Sequence, residues 1–305
     1  MGKITVIGSS NIDMTAYVRR LPRPGETIGG GKFRQANGGK GANQAVAAAR
    51  LGGNVLFITC VGDDIQGRLL ERTFSSEGID TSAMKFSGST ATGTALIFVA
   101  DDGENCIAVA PGANSELTAD DMDALREQIT SAEYLLTQLE IPMQTVERAV
   151  EAAYSAGRRV VLNPAPLSSP LPDGLLGKVW LVTPNETEAE ELTGIHIETA
   201  NDAKLAAEAL VAKGVPNVII TLGSDGSAVL SDGVFTIVPA RTVTAVDTVG
   251  AGDAYNGALV TALSEGMSLV EAARFATVAS SIAVTREGAQ TGDPYRSEVD
   301  AIYIR

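Results

Sequence analysis

Hydrophobic and polar positions along this chain alternate between short β-branched runs and amphipathic stretches of roughly 10 to 16 residues. The short runs predict strands at Ile4 to Ile7, Val55 to Cys60, Tyr134 to Gln138, Val160 to Leu162, Leu181 to Thr183 and Val218 to Leu222. A first helix is expected over Ala42 to Leu51, where alanine and glutamine dominate and Gly52-Gly53 supplies the stop. Thr118-Ala119-Asp120-Asp121 reads as a capping signal for a helix to about Thr130, and Pro142, in a first-turn position, opens another that ends near Gly157. Later helices are expected over Asn185 to Thr193, Asp202 to Lys213, Ala251 to Glu265 and Leu269 to Thr285. Strands that alternate with helices in this way imply an α/β fold with a mostly parallel sheet.

Two segments break the rhythm. Residues 14–36 hold Pro22, Pro24, Gly25 and the Gly29-Gly30-Gly31 run among alternating polar and apolar positions, and Thr92 to Val109 reads as a hairpin across Asp101-Asp102-Gly103-Glu104-Asn105. Both look like antiparallel strands inserted into the α/β core. A small sheet of this kind would either cover a site as a lid, pair with a partner, or simply extend the main sheet.

Composition narrows the chemistry. The 305 residues carry 23 basic and 37 acidic side chains, a formal net charge of −14, which argues against a nucleic-acid partner. With 45% hydrophobic and 20% charged residues the chain reads as an ordinary globule, and its length allows one large domain or two. No apolar run reaches the roughly 18 residues of a membrane helix, so no membrane partner is expected. The N-terminal Met1-Gly2-Lys3-Ile4-Thr5-Val6 resembles a first strand more than a signal peptide. His196 is the single histidine, which excludes a multi-histidine metal site, and its setting in Gly194-Ile195-His196-Ile197-Glu198 reads as a helix exit. Cys60 and Cys106 lack CxxC spacing and sit in apolar, strand-like stretches, which favours buried free thiols in a reducing, cytoplasmic setting over one disulfide. Trp180 reads as core packing.

Four clusters carry candidate chemistry. In Asn37-Gly38-Gly39-Lys40-Gly41-Ala42-Asn43, ahead of the first helix, glycines admit close backbone approach and Lys40 and Asn43 add side-chain donors. The cluster is not a Walker A loop, since Arg34 and Ala42 stand where glycine and Ser or Thr are required. Asn11 and Asp13 follow the first strand, where open α/β sheets place ligands, although either could equally cap a turn. No GxGxxG follows that strand, which disfavours a nicotinamide oxidoreductase.

Asp247-Thr248-Val249-Gly250-Ala251-Gly252-Asp253 is sharper. Gly250, Ala251 and Gly252 leave amides open toward an anion at a helix N-terminus, with the Asp253 carboxylate beside them. Phosphoryl transfer to an alcohol needs that pairing: donors for the transferring charge, and a carboxylate that orients the hydroxyl and accepts its proton. The helix end is expected to favour the charged form of Asp253. In Thr183-Pro184-Asn185-Glu186-Thr187-Glu188, Asn185 and Glu188 share one face of a first turn and suit water around Mg²⁺, or else form an N-cap and its capping-box partner. Thr221-Leu222-Gly223-Ser224-Asp225-Gly226 closes a strand with a turn suited to a nucleotide edge.

Taken in order, Gly38-Gly39-Lys40-Gly41-Ala42-Asn43-Gln44 and Asp247 to Asp253, with Asn185 to Glu188 and Thr221 to Gly226 between them, resemble the signatures of the ribokinase-like family of carbohydrate kinases over essentially the whole chain. The resemblance implies a single domain over 1–305, a three-layer α/β/α core with a β-sheet lid made by the insertions near 14–36 and 92–109, and Mg²⁺-requiring transfer of phosphate from ATP to the 5-hydroxyl of ribose. It assigns Asp253 as catalytic base and Gly250, Ala251 and Gly252 as the anion hole. Asn11, Asp13, Gly39, Lys40, Asn43 and Glu140 fall at sugar-site positions. Asn185, Glu188, Thr221, Gly223, Ser224, Gly226, Gly252 and Thr277 fall on the ATP and Mg²⁺ side. It also implies a monovalent cation, expected to be K⁺, near Asp247, Val249, Ala283, Arg286, Gly288 and Gly292, where Gly292 departs from a position often held by serine and loses a side-chain oxygen. A homodimer through the lid sheets is expected. The alternatives are a 2-deoxyribose or other small-sugar kinase and, more distantly, a sugar-binding regulator without catalysis.

Overall fold

The computed structural model describes residues 2–303; positions 1, 304 and 305, the ends of the expected single-domain span, lie outside the described residues. The strands are β1 (Lys3–Ile7), β2 (Asn11–Val18), β3 (Lys32–Gly38), β4 (Asn54–Ile58), β5 (Cys60–Gly62), β6 (Lys85–Ser87), β7 (Gly93–Ala100), β8 (Asn105–Ala110), β9 (Tyr134–Thr137), β10 (Arg159–Leu162), β11 (Leu181–Val182), β12 (Asn217–Thr221), β13 (Ser227–Ser231) and β14 (Val234–Val238). The helices are α1 (Lys40–Arg50), α2 (Ile65–Ser76), α3 (Ala119–Ala124), α4 (Arg126–Ser131), α5 (Met143–Ser155), α6 (Glu186–Thr193), α7 (Ala200–Ala212), α8 (Ala251–Ser264), α9 (Leu269–Ala283), α10 (Ala289–Gly292) and α11 (Arg296–Asp300).

The main sheet runs β14-β13-β12-β11-β10-β9-β1-β4, parallel from β12 to β4 and closed at one edge by the antiparallel β13 and β14. Successive strand residues point to opposite faces, and each face buries its own core. Leu136, Val161, Leu181 and Ile219 pack with α1, α2, α8 and α9, while Leu135, Val160, Val182 and Ile220 pack with α3 to α7. The result is the expected three-layer α/β/α core.

A second sheet, ordered β3-β2-β7-β8, is built from the two segments that broke the sequence rhythm. Its β2–β7 pair is parallel, not antiparallel as the pattern implied, because the two strands come from separate insertions and leave the core in the same direction. The apolar run at Val55 to Cys60 also divides: β4 ends at Ile58, and Cys60 turns away to pair with Lys85 in a third, two-stranded sheet. The helix capped by Thr118 breaks at Leu125 into α3 and α4. Cys106 is exposed on β8, a correction to the buried thiol expected there; β8 is an outer strand of the small sheet and is exposed along its whole length. Cys60 is buried, and both thiols are free. No described helix is long and apolar enough to cross a membrane.

Candidate active site

The carboxyl end of β1 and the amino end of α1 are pressed together by glycines. A Cβ on Gly41 would lie 2.5 Å from the Gly8 carbonyl carbon, and Gly39, at φ +89°, stands where a Cβ would lie 2.9 Å from the Asn11 amide nitrogen. Glu140, two residues beyond Gln138 at the end of β9, accepts the Lys40 amide at 2.9 Å and the Ser9 hydroxyl at 2.5 Å through one oxygen. It thus supplies the acceptor for which the first turn of α1 has no side-chain cap of its own. Asn11 is buried on β2; its Oδ1 accepts from Asn114 Nδ2 at 2.8 Å, which leaves its own amide nitrogen as a donor. Asp13, two residues on, shares that face of the small sheet, with its carboxylate over the Gly38 Cα. Burial, with the Glu140 charge adding, pushes the Asp13 carboxyl up to about 6.

On the opposite wall α8 opens after Gly250, a left-handed residue at φ +77°, and carries Asp253 in its first turn. Gly257 lets α8 lie against α1, since a Cβ there would fall 2.6 Å from the Ala47 Cβ and 2.7 Å from the Gln44 carbonyl. The two helix N-termini therefore meet at Asp253, whose Oδ2 accepts from Asn43 Nδ2 at 3.0 Å and whose Oδ1 accepts from Gln44 Nε2 at 2.9 Å. Burial pushes the Asp253 carboxyl up; Lys40 and the two amides oppose the rise, and Glu140 adds to it. This corrects the expectation, drawn from the helix end alone, that the charged form is favoured: Asp253 is almost wholly out of water. For Lys40 burial works the other way, but Asp253, Glu140 and Glu188 outweigh it and hold the ammonium above its ordinary pKa. Of the three amides expected to lie open toward an anion, that of Ala251 instead donates to the Thr248 carbonyl at 3.2 Å, closing the turn before α8, while the space above exposed Gly252 is open for at least 4 Å.

The remaining predicted residues form two groups beside this centre. Asn185 caps α6 and Glu188 returns the bond, a complete capping box at 2.8 and 2.9 Å, as the simpler of the two sequence readings had it. Burial raises the Glu188 carboxyl, and its electrostatic contact with Lys40 and Asp253 places it beside the centre all the same. Thr221 bridges Asn185, and the turn through Gly223 and exposed Ser224 ends at Gly226, at φ +101°, where a Cβ would lie 2.1 Å from the Val238 carbonyl. Thr277 is buried on α9, its hydroxyl donated to the Ala273 carbonyl in its own helix. Asp247 ties two loops together by accepting the Val249 amide at 3.0 Å and the Gly288 amide at 2.8 Å. The Arg286 amide donates to the Ala283 carbonyl at 3.0 Å, and that oxygen lies 3.1 Å from where a Gly292 Cβ would stand.

The chain matches the pfkB family carbohydrate kinase profile over residues 1–296. The chain belongs to the pfkB family of carbohydrate kinases. It is 45% identical to a ribokinase of Haemophilus influenzae over 97% of this chain and 96% of that one. A deoxyribokinase of Salmonella typhimurium is 38% identical over 95% of each chain. The structure of an Arabidopsis thaliana ribokinase complexed with ribose and ATP superposes with a TM-score of 0.93 at 33% identity, covering 98% of both chains.

In this pfkB carbohydrate kinase, sequence reasoning passed over several residues that hold the centre together. Gln44 donates to Asp253, Gln290 Nε2 donates to Asn43 Oδ1 at 3.0 Å, and Asn114 orients Asn11. Gln44 had a signal: it directly follows Asn43 and closes the Gly38 to Gln44 signature already singled out. Gln290 and Asn114 had none, for only the fold brings them within reach.

Proposed function

We propose that this kinase transfers the γ-phosphoryl group of ATP to the 5-hydroxyl of D-ribose, giving ribose 5-phosphate and ADP, with the chain acting as one ribokinase-like domain closed by the small sheet as a lid. The observation that carries this reading is the buried Asp253 carboxylate, held by Asn43 and Gln44 at the joined N-termini of α1 and α8. Asp253 aligns the 5-hydroxyl and takes its proton. Gly250, Ala251 and Gly252 face the transferring phosphoryl group at the amino end of α8, and Lys40 offsets its charge. Asn11, Asp13, Gly39, Asn43 and Glu140 bind the sugar, whose hydroxyls suit the carboxylate of Asp13. The turn from Thr221 through Gly223 and Ser224 to Gly226, with Asn185 and Thr277, forms the nucleotide edge.

Mg²⁺ fits the residues at the α6 N-terminus, because Glu188 Oε2 is committed to the Asn185 amide while its second oxygen stays available to a hydrated ion. When bound with ATP, Mg²⁺ would neutralise phosphate charge. Asp247, Val249, Ala283, Arg286, Gly288 and Gly292 would offer backbone carbonyls and one carboxylate, hard oxygen donors of the kind K⁺ takes, with no side-chain oxygen from Gly292.

The small sheet also supports a homodimer. On β8, Ile107 and Val109 are 56% and 58% exposed on the face that also carries Asp13, while Leu96 and Phe98 of β7 are exposed on the opposite face, so one copy alone leaves a β-edge and the Ile107 and Val109 side chains in water. Pairing with a second copy covers both. Two free thiols support a cytoplasmic setting.

The likeness to a deoxyribokinase keeps 2-deoxyribose as the second reading, since its 5-hydroxyl is the same. Incubation with ATP, Mg²⁺ and K⁺ against a sugar panel, followed by competition between ribose and 2-deoxyribose, tests the proposal. ADP release with the highest kcat/KM on ribose is expected. A higher kcat/KM on deoxyribose would replace the substrate, and sugar binding without ADP release would point to a regulator.

A further inference from the structure

We propose that Gln44 is a positioning residue for phosphoryl transfer, holding the Asp253 carboxylate in register through an amide network that has only one self-consistent orientation. The inference rests on Asp253 as the base. The network can be read outward from a group that has no choice. The Thr183 carbonyl can only accept, so Asn163 presents Nδ2 to it at 3.0 Å and must turn Oδ1 toward Gln44. Gln44 then presents Nε2 to Asn163 at 3.0 Å, and the second hydrogen on that nitrogen falls to Asp253 Oδ1 at 2.9 Å. Its Oε1 is left to accept, and Gln138 Nε2 fills that place at 2.6 Å. Thr183 closes the far side by donating to Asn256 Oδ1 at 2.6 Å, while Asn256 Nδ2 donates to the Gly252 carbonyl at 2.8 Å beside the anion cradle.

One oxygen at the edge of this network is left unpaired. Gln138 Oε1 is buried without a hydrogen-bond partner, above Gly8, where a Cβ would lie 2.2 Å away. An unpaired buried oxygen destabilises the fold, and the same Gln138 side chain gives Gln44 Oε1 its donor while Gln44 Nε2 is on Asp253. Gln44 sits four residues after Lys40 on α1, and the Lys40 charge acts on the carboxylate that the Gln44 amide holds. Other charged groups acting on Asp253 or on its close neighbours are Lys40 from α1, Glu140 beyond β9, Glu188 from α6 and Asp293 beyond α10. The Gln44 donor favours the ionised base against the three carboxylates and against burial.

The test is the pH profile of kcat for Gln44→Met, which keeps the volume and removes the donor. Without that amide the carboxylate is less stable, so the acid limb should move up by roughly one to two pH units, the size of one hydrogen bond lost from a charged acceptor. Plateau kcat should fall about tenfold while the sugar KM changes less than about threefold, since the lost interaction acts on the reacting state. An acid limb at the wild-type pH, whatever the loss in kcat, overturns the proposal and leaves Gln44 a packing residue. If Gln44→Met does not fold, Asn163→Ala decides by the same limb, since it keeps Gln44 but releases its orientation; a smaller upward shift is expected, and none would overturn the proposal. Asp253→Asn, run alongside, separates the two failures: if it keeps near-full turnover, the base assignment itself is wrong.

Discussion

Asp13 and Asp253 both feel the Glu140 charge, but their surroundings differ. Asp13 is only partly buried and its carboxyl sits at about 6, so it titrates within reach of ordinary assays. In the proposed sugar site its ionised form accepts the hydroxyls, and protons would compete with sugar below that point. The ribose KM should therefore rise as pH falls through about 6, with a slope that Asp13→Asn abolishes; a KM flat from pH 5 to 8 in the wild-type protein would remove Asp13 from the sugar site. Asp253 was legible in the sequence because three small residues before an aspartate at a helix start are an unusual order. The direction of its titration was not, because a helix end is visible in a sequence and the closing of α1 over it is not. Asn185 and Glu188 show the same limit: their spacing predicted a capping box correctly, but the closeness of Glu188 to Lys40 follows only from the packing of α6 against the site.

At the level of elements, the site is a junction of two helix N-termini, and its precision depends on how closely α1 and α8 approach. Gly257 sets that distance. In Gly257→Ala the added carbon would overlap Ala47 and the Gln44 carbonyl, so the helices must part by a few tenths of an ångström. We expect a loss of about 1–3 kcal/mol in denaturant unfolding, as for other overpacked interiors. A drop in kcat should accompany it, as Asn43 and Gln44 move off Asp253. Unchanged stability and kcat would show that the contact is slack. Helices and parallel strands were legible because period and punctuation agree along them. The break at Leu125, the turn at Thr59 and the parallel pairing of β2 with β7 were not, since each is decided by partners distant in sequence. The helix α2 and the β13–β14 hairpin also went unread: Asp64 caps α2 through the Gly67 amide, but no apolar run announces it.

Over the whole molecule, a net charge of −14 coexists with a proposed site for the polyanion ATP. The resolution is local: Lys40 and the amino ends of α1, α6 and α8 gather at one end of the sheet, so positive potential is concentrated where phosphates would lie. The same end carries the small sheet, whose uncovered β8 is where the proposed second copy would pair. Replacing both Ile107 and Val109 with aspartate should convert a dimer into a monomer in light scattering and raise the ribose KM; a wild-type protein that is monomeric at assay concentration would contradict the pairing. Fold, small sheet and charge all bear on a single carboxylate. The most direct test measures kcat and ribose affinity together in Asp253→Asn, a substitution that keeps the shape and removes the base. A fall in kcat of about 10²- to 10⁴-fold with ribose affinity changed less than about threefold is the expected result. Turnover close to wild type would contradict the account.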